Sequence, residues 1–431
     1  MIIKNLYSAC IEIETNNLRI LCDPWFTQGI GIGSWYLFPE PKDPFKIIKE
    51  PDLIYISHIH NDHYDKFFLK KLYKKYGSKK IIIPKFKKNY LEMRAKLDGF
   101  NVEAINHLNF KNTNIYIVPN DQNDPNDIDS ALYVNCEETN KNIINLNDNQ
   151  WNSKQNYELK KIMNKHTKEL DFLALGYTGA GPYPQTFFDT KKNYKELLIE
   201  ANKKKIKFFN QYKKYTRYFK SKYHFPFAGS YILGGKHFYL NEFRGNPDSL
   251  EVKKFDKKAI ILKDFGGSIN LIRNKISGER KKKHDFKKNK LYLKKIKKKK
   301  YDFELDFKNF DYAKINFRRM IISSYFRAST KTIINTNYYL IFKIQNQSKV
   351  LNTYVLNLNK KKFSLDIFSG DKKLKLKQKY EIFIDYRLFF GLLSGIYHWG
   401  DAMGASLFLT RRQPNIYNPV IQKFLIFFQT N

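Results

Sequence analysis

A layered α/β fold, with sheets covered by helices, is the class this sequence predicts, and three observations carry it. Short β-rich runs recur through the first third: "ACIEIET" (9–15), "LRILCDP" (18–24), "LIYISH" (53–58), "KIIIP" (80–84), "IYIVP" (115–119), "SALYVNC" (130–136) and "NIINLND" (142–148). Helical stretches interleave with them over 66–76, 87–97, 154–168 and about 190–220. The chain has 431 residues, 42% of them apolar, which is enough to bury sizeable cores. Strands alternating with helices bury their faces as sheets under helical layers.

The first run, "MIIKNLYSACIEIETNN", alternates apolar and polar residues as a strand does and has no continuous apolar centre, so it does not read as a secretory leader. No stretch approaches ~18 uncharged apolar residues, and no spanning helix is expected. The cysteines, Cys10, Cys22 and Cys136, are few, odd in number and unpatterned. That argues against a disulfide framework and for a reducing, cytoplasmic setting.

Charge is the strongest compositional signal: 78 Lys and Arg against 41 acids give a net +37. One reading is a bias that also inflates Asn, Ile, Tyr and Phe; the other is attraction to an anionic partner. No nucleic-acid-binding module appears, so no specific nucleic-acid binding is expected. Fifteen cations and two acids fall in 273–300, "RNKISGERKKKHDFKKNKLYLKKIKKKK". Self-repulsion there predicts a solvated linker or an exposed helix face. The expected organisation is therefore 1–255 as one domain, 256–300 as a basic connector, and 301–431 as a smaller α/β domain. In the last, β-rich runs return ("NYYLIFKI", "TYVLNL") before an apolar helical stretch at 385–399.

The chemistry concentrates in "SHIHNDHYD" (57–65), directly after the apolar run "LIYI". His58, His60, Asp62 and His63 form His-x-His-x-Asp-His in a loop that a strand end can aim inward. Neutral imidazole suits zinc and iron, and carboxylate widens the choice toward manganese and iron. His58 and His60 can hold one ion while Asp62 and His63 hold a second. Two ions about 3.5–4 Å apart can activate a water or clamp an anionic oxygen. Asp62 and His63 are the candidate catalytic residues.

This strand–motif–helix order, preceded by "RILCDPWF", resembles the metallo-β-lactamase superfamily, whose fold is an αββα sandwich with metals at one edge of its sheets. The resemblance narrows with "CDPWF…GSWYLFPEP" (22–41), "PDLIYISHIHNDH" (51–63), "ALGYTGAGPYPQTF" (174–187), "FPFAGSY" (225–231) and "GIYHWGDAMGASLFLTRRQPNIY" (395–417). In this order they look like the CMP-N-acetylneuraminate hydroxylase family.

The resemblance implies further ligands at later strand ends. Asp148 in "NLNDNQ" matches the superfamily's bridging aspartate; its alternative is an ordinary Asn/Asp turn. The superfamily's next histidine is missing from "VPNDQNDPNDIDS", where Asp121 is the expected substitute, with Asp124 and Asp129 behind it. His237 is preferred over His224 as a last ligand, and a structural histidine is the alternative. Tyr177 and Tyr183, in the glycine-rich 176–187, could stack on a base or sugar. Arg244, and also Arg411 and Arg412, could fork onto phosphate or carboxylate.

Relatives of the mammalian type carry a Rieske domain, whose cluster takes two Cys and two His. None of the three cysteines here has a nearby following histidine, so no Rieske cluster is expected in this chain. The expected function is a metal-dependent enzyme acting on a nucleotide-linked amino sugar. It would hold two divalent ions, zinc or, for an oxygenase, iron, and draw electrons from a separate Rieske or ferredoxin-type protein. Two rivals stay open: a hydrolase of a phosphoester, lactone or amide bond, possible in a phospholipase D-like form, and a non-catalytic binding protein with a degraded site.

Overall fold

The alternation of the "LIYI" run decides how the first sheet is buried. Leu53 and Tyr55 point to one side and Ile54 and Ile56 to the other, and all four are buried. The computed structural model describes residues 1–120, 129–229, 231–332, 338–359 and 363–430. In it, Leu53–Tyr55 lies within an eight-stranded sheet. The strand order is Lys275–Ser277, Gly267–Asn270, Ile2–Tyr7, Cys10–Glu14, Arg19–Cys22, Leu53–Tyr55, Lys80–Pro84 and Val102–Ile105. The last four strands run parallel to one another.

A six-stranded sheet faces it, ordered Tyr223–Phe227, Phe172–Gly176, Lys141–Asn145, Asp129–Cys136, Thr113–Asn120 and His107–Phe110. Between the sheets lie Ile11, Ile13, Ile20, Leu53 and Tyr55 from the first and Ile117, Leu132, Val134, Ile143 and Phe172 from the second. Helix Lys66–Tyr76 covers the outer face of the first sheet through Phe68, Leu69 and Leu72, packed with Ile54, Ile81 and Ile83. Helices Ser153–His166 and Tyr194–Phe219 cover the second sheet through Leu159, Met163, Tyr212 and Tyr215 against Tyr133, Ile144 and Leu173. Helix, two sheets and helix form the αββα sandwich that the sequence predicts.

The expected boundary at 255 falls inside this sandwich. Gly267–Asn270 pairs with Ile2–Tyr7 and carries Lys275–Ser277 beside it, so the segment expected as a connector supplies two strands. The lysine-rich run is not a solvated linker throughout either. Lys290–Lys297 is a helix whose Tyr292 and Ile296, four residues apart, pack on Tyr36, Phe38 and Ile232 while its lysines face outward. Tyr292 Oη also donates to the Leu37 carbonyl at 2.7 Å.

The rest of the chain forms a five-stranded sheet, ordered Ser364–Ser369, Lys349–Asn357, Tyr339–Asn346, Lys379–Asp385 and Leu409–Gln413. The stretch expected as one helix over 385–399 is a helix at Tyr386–Leu393 and a second at Trp399–Gly404, with a positive-φ glycine, Gly395, between them. One apolar cluster runs from Leu6 and Trp25 through Tyr301 and Phe303 to Phe342, Phe389 and Trp399. The C-terminal sheet is therefore welded to the sandwich by shared core. No helix among the described residues is long and apolar enough to cross a membrane.

Candidate metal centre

The site is built where parallel strands of both sheets end. After Tyr55 the chain leaves the sheet, and the amides of His63 and Tyr64 donate to the His60 carbonyl at 3.0 and 2.8 Å. This turn folds His63 back beside His58, with ring centroids 4.1 Å apart. From the second sheet, the loop after Lys141–Asn145 brings up Asp148, whose Oδ2 lies 3.4 Å from His63 Nε2.

A buried polar network fixes the two sheet ends relative to each other. Tyr55 Oη lies 2.8 Å from Ser130 Oγ, which donates to the Ser57 carbonyl at 2.8 Å. Asn147, in the left-handed region, donates to Tyr55 Oη and to the Ser130 carbonyl. Asn149 is held on the other flank, its Oδ1 accepting from Gln155 Nε2 at 2.8 Å. Asp148 thus projects between two locked asparagines, with its own side chain 40% exposed at the rim.

One atom each of His58, His63 and Asp148 lies within 4.8 Å of the other two. Burial, and then the charges of His63 and His60, lower the His58 pKa well below its ordinary value. His58 is therefore a neutral donor, the form a metal takes. Burial would also lower His63, but the carboxylates of Asp23, Asp148 and Asp62 outweigh it and raise it well above the usual range. Burial pushes Asp129 up, and so does the charge of Asp148. Burial would raise Asp148 too, yet the facing His63 holds it below the ordinary carboxylate range. Two imidazoles and a carboxylate under this much negative charge fit a divalent cation, whose own charge would offset the repulsion among the acids.

Asp62 and His60 flank the group: Asp62 Oδ2 lies 3.8 Å from His63 Nε2, and the His60 ring is 4.6 Å from that of His58. Asp129 stands on the other side, 3.5 Å from His58 Nδ1. Asp121 and Asp124 lie outside the described residues. His237 does not join the cluster. Its Nδ1 donates to the Ser406 carbonyl at 2.7 Å and its ring packs near Tyr301, so it fastens the C-terminal sheet instead. Burial, and then Lys236, pushes its pKa down to about 4. His224 is likewise engaged elsewhere, with Asp256 at 2.7 Å.

Among the weaker candidates, Tyr177 is buried, and Tyr183 donates to Glu200 Oε2 at 2.6 Å beneath Arg412. Arg411 donates to the Thr186 and Thr410 carbonyls. Arg244 lies 3.9 Å over the ring of Tyr231, a residue whose hydroxyl feels the charges of Asp62 and Asp148.

Two residues of the site were not singled out by sequence reasoning. Asp23, fully buried, accepts from the Ser57 amide and Ser57 Oγ, both at 2.8 Å, and lies 3.0 Å from His63 Nδ1. Ser57 Oγ is also 2.9 Å from His58 Nδ1. The available signal was Asp-Pro directly after a strand that pairs with Leu53–Tyr55. Asp65, the second aspartate of "SHIHNDHYD", is structural: it caps helix Lys66–Tyr76 and accepts from the Phe26 and Thr27 amides.

Comparison with known proteins agrees with the geometry. Residues 3–144 match the model of the β-lactamase superfamily domain. The cytidine monophosphate-N-acetylneuraminic acid hydroxylase of Danio rerio is 43% identical over 56 residues, 13% of this chain and 10% of that protein. The inactive human (Homo sapiens) counterpart is 38% identical over 71 residues, 16% of this chain and 14% of that protein. The matches thus span a small part of these relatives' length. A solved isothiocyanate hydrolase from Delia radicum gut bacteria is 12% identical with a TM-score of 0.43, covering 63% of this chain and 99% of that one. Residues 3–144, which match the β-lactamase superfamily domain model, carry His58 and His63 at a strand end of the αββα sandwich.

Proposed function

We propose that this metal-dependent enzyme of the β-lactamase superfamily acts on a nucleotide-linked amino sugar, as a hydroxylase of the sialic-acid type. The observation that carries the reading is the local identity to the cytidine monophosphate-N-acetylneuraminic acid hydroxylase of Danio rerio and to its inactive human counterpart, together with the ordered motifs that extend from residue 22 to residue 417. His58, His63 and Asp148 would hold metal, with His60, Asp62 and Asp129 completing one or two ion sites. Bound there, a divalent ion would supply Lewis acidity or, as iron, oxygen activation.

The chain's own residues do the rest. Asp23 fixes the orientation of His63, and Ser57 ties Asp23 to His58. Asp62, raised by burial beside the cluster, is placed to take or return a proton. We assign 301–431 a supporting role as a second α/β unit, and we place the protein in a reducing, cytoplasmic setting, in keeping with three free buried cysteines.

Hydroxylation of a C–H bond by molecular oxygen consumes two electrons and two protons and yields water. The electrons would come from a separate Rieske or ferredoxin-type carrier, for which a chain of net charge +37 is a suitable dock. The test is oxygen uptake and hydroxylated product from CMP-N-acetylneuraminate, with and without carrier and reductant. Product that depends on carrier and oxygen supports the reading. Bond cleavage under strict anaerobiosis would identify a hydrolase instead.

A further inference from the structure

Two cations near Tyr231, a residue that feels the charges of Asp62 and Asp148, have no acid paired with them among the described residues. Arg244 is buried, 5% exposed, and among the described residues its guanidinium bonds neutral groups: Nη1 donates to the Tyr231 carbonyl at 2.9 Å and to Asn241 Oδ1 at 3.4 Å. Lys204 is half-buried. Neither makes a salt bridge among the described residues, although the lysines on either side of Lys204 are paired, Lys203 with Glu200 and Lys205 with Glu251.

Helix Tyr194–Phe219 explains why these two meet. One face carries Leu197, Ala201, Lys204, Phe208, Gln211 and Tyr215 at alternating steps of three and four. Ala201, Phe208, Gln211 and Tyr215 on this face each touch a loop that flanks it. The Ala201 carbonyl would lie 2.3 Å from a Cβ on Gly245, directly after Arg244, and Phe208 meets Gly179 as closely. Further along, Tyr215 Oη donates to the carbonyl of Asn149, next to Asp148. Lys204 therefore faces the gap between the Arg244 loop and the Gly179 loop. Arg244 in turn lies on Tyr231, whose ring is 4.4 Å from Trp35 and 6.3 Å from Trp25.

We propose that Arg244 and Lys204 form the anion-binding wall of this site and hold an oxyanion of the substrate, a carboxylate or a phosphate, while the metal cluster meets the reacting group. This rests on the cluster being the metal centre of an enzyme and deepens that reading. Two cations held close together favour an anion between them, because it offsets their mutual repulsion. Burial and then the Arg244 charge push Lys204 down to about 7, a strain that an incoming oxyanion relieves. The planar fork of Arg244 and the point charge of Lys204 are complementary partners for such a group.

The test is calorimetric titration of the metal-loaded full chain with inorganic phosphate and, separately, with acetate. Wild type, Lys204→Gln, Lys204→Arg and Arg244→Lys are compared, with bound metal measured in each. At least one anion should bind wild type, weaken about tenfold (about 1.4 kcal/mol) in Lys204→Gln and in Arg244→Lys, and be retained in Lys204→Arg, at unchanged metal content. Phosphate alone would point to a phosphoryl group, acetate alone to a carboxylate, and both to a wall that takes either. Equal binding by wild type and Lys204→Gln, or no binding of either anion by wild type, would overturn the proposal. Because no substrate is used, failure here is separate from failure of the nucleotide-sugar reading.

Discussion

Asp23 Oδ2 sits 3.0 Å from His63 Nδ1, and it leaves His63 Nε2 turned toward Asp148 and Asp62. A carboxylate behind a ligating histidine fixes its tautomer and ring orientation and raises its basicity. Asp23→Asn keeps the size and tolerates the left-handed backbone at this position, φ 43°. It should weaken metal affinity by about 10–100-fold while the melt stays cooperative. A competition titration against a chromophoric chelator reads the effect; unchanged affinity would remove Asp23 from the site.

Asp148 is rim-exposed and its backbone is held by its asparagine neighbours, so its carboxylate is dispensable for folding. Asp148→Ala should lose bound metal, measured by elemental analysis. Metal-free unfolding should stay cooperative, with a loss of up to about 1 kcal/mol from the missing contact to His63. Asp62→Ala should abolish turnover with the fold retained. Normal turnover at normal metal content would exclude Asp62 from catalysis.

Gly245 has φ +66°, and a Cβ there would lie 2.3 Å from the Ala201 carbonyl. Gly245→Ala should cost about 1–3 kcal/mol or more, from backbone strain and from forcing the Arg244 loop off the helix. Gly99, at φ +87° with nothing near its would-be Cβ, is the control for strain alone. Denaturant midpoints should fall further for Gly245→Ala than for Gly99→Ala; equal shifts would mean that the close approach does not hold the loop.

Burial raises Asp264 to about 6, although the Arg280 charge opposes it. The folded state thus binds the proton more tightly than the unfolded chain, whose carboxyl titrates near the ordinary value. Its favourable contribution is full below about pH 4 and lost as pH rises through about 6, so that near neutrality the folded protein carries a costly charge. Asp264→Asn should be more stable than wild type by about 1–3 kcal/mol at about pH 7.5, with the difference vanishing near pH 4. A constant difference across that range would mean another group sets the dependence.

Helix 66–76 and strand 80–84 were legible to the residue, because each has one clean period and a definite stop. His58, His63 and Asp148 were legible for a related reason: each follows a β-run closely, and strand ends are where backbone is free to aim side chains. Asp23 and Ser57 were harder. Their role exists only because strands Arg19–Cys22 and Leu53–Tyr55 lie side by side, a lateral relation that one-dimensional spacing does not carry. Of the two readings of the 273–300 run, a linker or an exposed helix face, the helix face forms at Lys290–Lys297, and its packing depends on two apolar residues, Tyr292 and Ile296, rather than on the average charge. Lys204 was hidden among the many lysines of its helix; only the three-dimensional register of its face separates it from its neighbours.

The pairing of Ile2–Tyr7 with Gly267–Asn270 sets a clock on biosynthesis. One edge of the first strand is satisfied at once by Cys10–Glu14, but its other partner leaves the ribosome more than two hundred and fifty residues later. At about 5–20 residues per second that interval is roughly 15–50 s. Throughout it an apolar strand carrying Ile3 and Leu6 offers unpaired amides and carbonyls to any other chain. Nascent-chain chaperones, or a slow-down in translation before residue 267, would matter more for yield of this protein than the stability of its finished fold.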